Sequence, residues 1–508
     1  MRAGKRLTRA ILMIGLLSLA PRAASDEPTG VFKIVVVDEQ TGRGVPLVEL
    51  RTMAQHRYVT DSAGAAAIRD PELFGQTAFF YVGSHGYEFA KDGFGFQGKS
   101  VSVVPGGSAQ FMIKRINMAE RLYRVTGAGI YADTVLAGGR APIAHPLLNA
   151  QVTGSDSVVT ALYHGRIYWF WGDTNRPKYP LGLFHVPGAT SRPPSDGGLD
   201  PDKGVDLEYF VNDDGFAKAM CKMPGEGPTW INGLTVLRDA DGRERLFCGY
   251  VKVRGMLEIH ERGIAEFDDA KNAFRQVKSF AKDVPLFPGG HPVRHSVDGV
   301  DYVYFGEATA TARVRATVES FLDLSRYEGF TCLVAGSRAD APRVERDDAG
   351  RVVWGWKQDT PPIDRGLEEK LTQSGQLKAD EARLRTVDAD SGKPVLVHNG
   401  SITWNEHRGR WISIFTQSFG SSMLGEIWYA ESDAPEGPLP KAVKILTHDK
   451  YSFYNPKQHP YFSAGRHVYF EGTYTHTFSG GTEQTSRYDY NQIMYRLDVD
   501  DPRLKGLQ

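Results

Sequence analysis

Two short phrases, Gly154-Ser155-Asp156 and Gly172-Asp173-Thr174, stand at the two ends of one aromatic-rich segment, Val158–Trp171 (VVTALYHGRIYWFW). A tight turn at Gly165 folds that segment back on itself and brings both aspartates to the same end of a hairpin. Two carboxyls held this close do not ionise independently, so one raises the pKa of the other. Cleavage of a glycosidic bond requires that separation of acid and base roles. The local alternative is an Asp that caps a turn beside an Asp that accepts from a backbone amide.

The hairpin recurs. Val158–Thr174, Leu234–Val251, Pro292–Ala308, Ile402–Ser418 and Pro460–Tyr474 each pair two apolar runs about a turn, centred on Gly165, Gly242, Gly299, Gly409 and Gly465. The intervals are 77, 57, 110 and 56 residues, and a four-stranded blade needs roughly 40 to 60. The pattern predicts an all-β chain with a five-bladed β-propeller over 130–500, carrying insertions near 177–214 and 361–395. The first insertion reads as a Pro/Gly/Asp-rich loop. The second contains Asp364–Arg385, of helical composition, expected as a solvated surface helix with a lid as the alternative. Outer strands are expected at Leu257–Phe267 with Ala273–Phe280, Thr331–Gly336 with Val352–Lys357, Ile427–Glu431 with Val443–Leu446, and Gln492–Asp498.

Aligning the hairpins on their turn glycines places polar groups at one end of every blade. Eight positions after each glycine stand Asp173, Tyr250, Glu307, Gln417 and Thr473; six to eleven before them stand Asp156, Asn232, His291, His398 with Asn399, and His459. A ring of polar groups at one end of a disc makes a funnel, the default place for a site. Asp156, Asp173 and Glu307 are the candidate catalytic residues. Asn232, His291, His398, Asn399, Gln417, His459 and Glu471, the last two positions out of register, are candidate substrate-binding residues. No metal-ligand set is expected, since the histidines lack a spacing such as HxxxH. Trp169, Trp171, Trp230 and Tyr454 are candidates for stacking on sugar faces at the rim, although most blade aromatics are core.

Ahead of the repeats, residues 30–115 form short alternating runs bounded by Gly, Asp and Pro, the pattern of a small β-sandwich. Residues 1–25 read as a secretory signal peptide: Arg2, Lys5, Arg6 and Arg9, then the apolar run Ala10–Ala20, then Ala23-Ala24-Ser25. A secreted or periplasmic protein is expected, with no membrane span after cleavage. Sixty basic against 61 acidic residues give no nucleic-acid footprint. Three cysteines, Cys221, Cys248 and Cys332, allow one bridge at most; Cys221 with Cys248 and buried free thiols are equal expectations.

Two resemblances follow from these motifs. Asp38, Thr41, Gly42, Val45 and Pro46, then Thr60, Asp61 and Gly64, then Gly86 and Tyr87 resemble the transthyretin-like module found beside the catalytic domain of carboxypeptidases and in many secreted bacterial enzymes. The order G-x-D, aromatic run, G-D-T at the start of a five-bladed propeller resembles the secreted bacterial family that contains endo-D-arabinanases. It is more distantly similar to glycoside hydrolase family 43. Gly425–Asp433 (GEIWYAESD) with the following APEGP resembles the phrase that closes a blade in such propellers. The resemblance implies Asp156 as general base or nucleophile, Asp173 as its partner carboxylate and Glu307 as acid, with Glu471 second in line for the third carboxyl.

Three functions remain open on the sequence. One is a glycoside hydrolase acting on a furanoside or related polysaccharide or oligosaccharide, with no cofactor required. A second is a non-catalytic propeller that binds glycan, or calcium as a structural ion. The third is a polysaccharide lyase, with Lys252, Arg294, Arg313 or Arg315 neutralising a uronate.

Overall fold

A computed structural model describes residues 30–507 except Met256 and Thr482; the expected signal peptide lies outside the described residues. The chain is predominantly β. Phe32–Asp38 alternates buried with half-buried positions before ending fully buried, as a strand with one core face should. It pairs with Ala65–Ile68 and, in parallel, with Ser108–Arg115 in one four-stranded sheet. A second four-stranded sheet contains Glu49–Thr52, Arg57–Val59, Thr77–Gly83 and Gly98–Ser102. Ile34, Val36, Val48, Leu50, Phe80, Val82, Phe111 and Ile113 fill one core shared by the two.

Five antiparallel meanders follow in chain order. Their first hairpins are Val158–Tyr163 with Arg166–Trp171, Thr229–Arg238 with Glu244–Arg254, Val293–Val297 with Val300–Gly306, Val397–Asn405 with Arg410–Gln417, and Ser452–Gln458 with His467–Thr475. The five turn glycines all have positive φ, between 54° and 81°, a region other residues enter only with strain. The first four hairpins agree with the sequence expectation because each is local; in the fifth, Pro460–Ala464, expected as the first arm, lies in the connection, and the arm is Ser452–Gln458. The outer strands agree less well. In the first sheet they are Gly188–Ser191 and Glu208–Tyr209, which lie inside the segment expected to be an inserted loop. In the third they are Ala310–Arg315, Glu328–Thr331 and Gly355–Gln358. The fifth sheet takes its last strand from Glu120–Arg124, which precedes the first hairpin in the chain, so the two ends of the five-sheet region meet in one sheet and the edge of Asn491–Asp498 is covered.

The helical insertion is not the solvated element its charges suggest. Its helix, Arg365–Gln373, is capped by Asp364, which accepts from Leu367 N at 2.7 Å, and it buries Leu367, Glu368 and Leu371. The Glu368 carboxylate accepts from the backbone N–H groups of Arg383 and Leu384 at 2.7 and 3.1 Å, which fastens the returning chain against the helix.

The N-terminal unit is fixed to the fifth sheet by Arg121, 1% exposed. Its guanidinium donates to Pro46 O, Ser84 Oγ and His85 O at 3.1, 2.9 and 2.7 Å, and to Tyr495 Oη at 3.0 Å. A buried cation satisfied by that many acceptors admits little sliding. Cys221, Cys248 and Cys332 are buried free thiols.

Candidate active site

The aspartate pair stands where the first hairpin predicts. Gly154-Ser155 pairs with Thr174-Asn175, and Val158 with Trp171; between these registers Asp156 N donates to Asp173 O at 3.2 Å and Gly172 N to Asp156 O at 2.9 Å. Glycine is required at 172, because a β-carbon there would sit 2.1 Å from Asp156 Oδ1. Tyr454 donates its hydroxyl to Asp156 Oδ2 at 3.1 Å, and Tyr490 donates to the same carboxylate. Trp230 Nε1 donates to Asp173 Oδ1 at 2.9 Å. Both carboxyls are half-buried. Burial, and then the charge of Asp173, pushes Asp156 up to about 7 against the pull of its two tyrosine donors. Burial also raises Asp173, opposed by the Trp230 donor.

Glu307 follows the second strand of the third sheet and is half-buried. Burial pushes it up to about 7, opposed by the Gly400 backbone N–H. It lines a cavity of about 910 Å³ together with Asn232, Gly290, His398, Arg365 and Glu369. The inserted helix therefore forms one wall of the cavity, which overturns the surface-helix expectation. Among the described residues that line it, Asp156 and Asp173 do not appear. The second sheet's inner strand links the two groups: Trp230 bonds Asp173, and Asn232, two residues on, faces the cavity.

The remaining candidates divide. Asn232 lines the cavity with its Oδ1 unpartnered, and His398 lines it with Nδ1 unpartnered; burial and the Arg365 charge hold His398 below the usual imidazole range. Asn399 is spent on the scaffold, donating to Asn455 Oδ1 at 3.0 Å, while Asn455 donates to Ser157 Oγ at 2.7 Å. Gln417 accepts from Trp428 Nε1 at 2.8 Å and does not line the cavity. His291, His459 and Glu471 are buried, and none of them lines the cavity. His459 Nε2 and Glu471 Oε1 lie 3.0 Å apart. Burial pushes Glu471 up to about 8 and His459 well down, so at neutral pH the pair shares one proton and carries no charge. Burial also lowers Lys457 to about 8, against the pull of Glu471. These three residues form a buried polar core rather than a sugar-binding surface.

The rim aromatics also divide. Trp169 and Trp171 are 0% and 1% exposed and are core, whereas Trp230 and Tyr454 reach the carboxyls directly. The cations nominated for a uronate are occupied or elsewhere. Lys252 Nζ donates to the carbonyls of Met223, Pro224 and Gly225, Arg313 pairs with Glu328, Arg294 donates to Val236 O, and Arg315 does not line the cavity. Sequence reasoning missed Tyr490, which lies in the turn just before the strand Asn491–Asp498, and the cavity wall built by the helix.

No family model matches this chain, and no curated protein matches it. Solved structures do. A candidate hydrolase from Bacteroides ovatus aligns with 68% of this chain and 86% of its own at 11% identity and a TM-score of 0.40. A family 43 glycoside hydrolase from Xanthomonas citri aligns with 69% of this chain and 89% of its own at 13% identity and a TM-score of 0.33; it has also been solved with xylotriose. A candidate exo-β-1,3-galactanase from Bifidobacterium bifidum aligns with 75% of this chain and 94% of its own at 10% identity and a TM-score of 0.34. At these scores the likeness reaches no individual residue of the site.

Proposed function

We propose that the chain is an exported glycoside hydrolase: a five-bladed propeller, preceded by a transthyretin-like sandwich, that cleaves a furanoside or related glycan with Asp156, Asp173 and Glu307. The observation that carries this reading is the aspartate pair at the base of the first hairpin, with both carboxyls raised by burial and Asp156 raised further by its neighbour. A general acid works best when its pKa lies near the working pH. Glu307, at about 7, keeps a proton to give to the departing glycosidic oxygen. Asp156 acts as base or nucleophile on the sugar carbon, held by Tyr454 and Tyr490, and Asp173 strengthens its basicity through charge. Asn232 and His398 line the cavity that would receive the glycan. The chemistry requires no cofactor, and export rests on the Arg2–Ser25 pattern.

The test is release of reducing ends from arabinan, xylan and galactan by the wild type and by Asp156→Asn, Asp173→Asn and Glu307→Gln. Each substitution is expected to lower kcat by about a thousandfold or more without loss of fold. Hydrolysis close to the wild-type rate in both aspartate variants would overturn the assignment. Glycan binding by the wild type without any turnover would favour the binding propeller instead.

A further inference from the structure

The segment between the second and third strands of the fifth sheet, 476–490, carries three non-glycine residues in the left-handed region: Phe478 at φ 61°, Arg487 at 64° and Tyr490 at 60°. Bulky residues adopt that conformation only where their surroundings impose it, and such positions cluster at functional sites. Two of the three meet the Asp156 shell. Tyr490 donates its hydroxyl to Asp156, and Phe478, 52% exposed, lies edge-on to the Tyr454 ring with centroids 6.3 Å apart.

The segment is held from two sides. On the sheet side, Asp489 accepts from His476 N and Tyr451 Oη at 2.7 and 2.9 Å. Asn491 donates to Asp489 O at 3.1 Å and to Thr153 O at 3.3 Å. The other side is the N-terminal unit. Tyr488, 2% exposed, donates its hydroxyl to Thr60 O at 2.8 Å and accepts from Leu47 N at 3.3 Å. Arg57 forms an ion pair with Glu483. Arg487 pairs with Asp133, whose other oxygen accepts from Ala67 N at 3.1 Å. Three contacts from the N-terminal unit and its connector therefore grip the segment at 483, 487 and 488, and the last of these lies two residues from the tyrosine that touches Asp156.

We infer that the N-terminal unit is a structural component of the active site: through Tyr488 it positions Tyr490 and Phe478 against Asp156, so that Tyr488 is a positioning residue. The inference rests on the proposed glycosidase reading for its kinetic consequence but not for its structural one. A spacer joined to the propeller would have no need to hold a segment that reaches Asp156. Loosening the grip removes a donor from the Asp156 carboxylate, which favours its protonated form.

The test uses the full-length protein, its Tyr488→Phe variant, which removes only the hydroxyl shared by Thr60 and Leu47, and its Arg57→Ala variant, which breaks a surface ion pair with little risk to folding. Backbone hydrogen exchange over 476–490 is expected to accelerate about tenfold or more in Tyr488→Phe, with protection of the other sheets unchanged. Arg57→Ala is expected to show a smaller acceleration in the same segment. In glycan hydrolysis Tyr488→Phe should lower kcat more than it changes KM and move the acidic limb of the pH profile upward, which a general loss of stability would not do. Wild-type exchange over 476–490 in Tyr488→Phe, or faster exchange with an unmoved pH profile, would overturn the inference. A wild type that hydrolyses no glycan would remove the proposed function alone. The exchange measurement would then decide this inference, with the Asp156 titration read from the pH dependence of thermal unfolding.

Discussion

Replacing Asp156 by Asn should stabilise the protein, and by more at pH 8 than at pH 5. An aspartyl carboxyl that ordinarily titrates near 3.8 titrates here at about 7. Between those values the folded state keeps a proton that the unfolded chain releases, so stability falls as pH rises from about 4 to about 7, and the loss is complete above that. At about 1.4 kcal/mol for each pH unit, the ceiling is about 4 kcal/mol. The carboxyl is only half-buried and part of its shift belongs to Asp173, so solvent screening and coupled titration reduce the realised value to about 1–2 kcal/mol. Asn has nearly the same shape and cannot ionise, which removes this penalty while keeping an acceptor for Tyr454. Urea unfolding of both proteins at pH 5, 6, 7 and 8 measures the difference. The gap, already present at pH 5, should widen progressively to about pH 7 in favour of Asp156→Asn. A difference that stays flat with pH, or a variant less stable than wild type at pH 8, would show that Asp156 is not held against its ionised form, and the base role built on that strain would fall with it.

Gly172→Ala places a methyl carbon 2.1 Å from Asp156 Oδ1; displacing that carboxyl should lower kcat about a hundredfold, measured beside a circular dichroism spectrum that stays wild type. Trp230→Phe removes the donor that favours ionised Asp173, so the acidic limb of the pH–rate profile should move upward by about half a pH unit; a limb that moves down or stays fixed excludes Asp173 from the titrating pair. Glu471→Gln should leave hydrolysis within about twofold of wild type, because Glu471 already holds its proton at neutral pH. A loss as large as that of Glu307→Gln would make Glu471 the third carboxyl.

Four of the five first hairpins were legible because each is a local pairing around a glycine with positive φ; in the fifth the apolar run Pro460–Ala464 beside Gly465 was read as an arm, and the true arm, Ser452–Gln458, lies further back. The outer strands were harder. Glu120–Arg124 joins the fifth sheet from a position before the first hairpin, and no local pattern announces a partner so far along the chain. Gly188–Ser191 and Glu208–Tyr209 were hidden by the Pro and Gly content around them, which reads as loop. The helix at Arg365–Gln373 was visible as a helix but not as a wall. Its buried Glu368 satisfies backbone N–H groups of the returning chain, a tertiary role that looks from sequence like one more surface charge.

Counting from the turn glycines put Asp156 beside Asp173 and placed Asn232, Glu307 and His398 on the cavity, but it misplaced His291, Asn399, Gln417, His459 and Glu471, and the reason is geometric. Equal distance from a turn means equal facing only while two strands stay in register. Register shifts fall between Asn232 and Thr235, Val397 and Gly400, and Tyr454 and Lys457, each within the first strand of its hairpin and away from the turn glycine. Each bulge re-aims the residues beyond it. Asn455, at φ 52°, therefore reaches Ser157, and Asn399 reaches Asn455 rather than the cavity. Glu471 illustrates the second limit. It shares a strand face with Thr473, whose hydroxyl accepts from Ser157 N beside Asp156 at 2.9 Å, but a period of two puts it about 7 Å further along the strand. That one step separates a carboxyl that could meet a sugar from one sealed against His459 with no exposed surface. In a set of repeated hairpins the repeat fixes which face a polar side chain takes, but depth along the strand decides what it meets, and depth is set by bulges that hydrophobic alternation does not record.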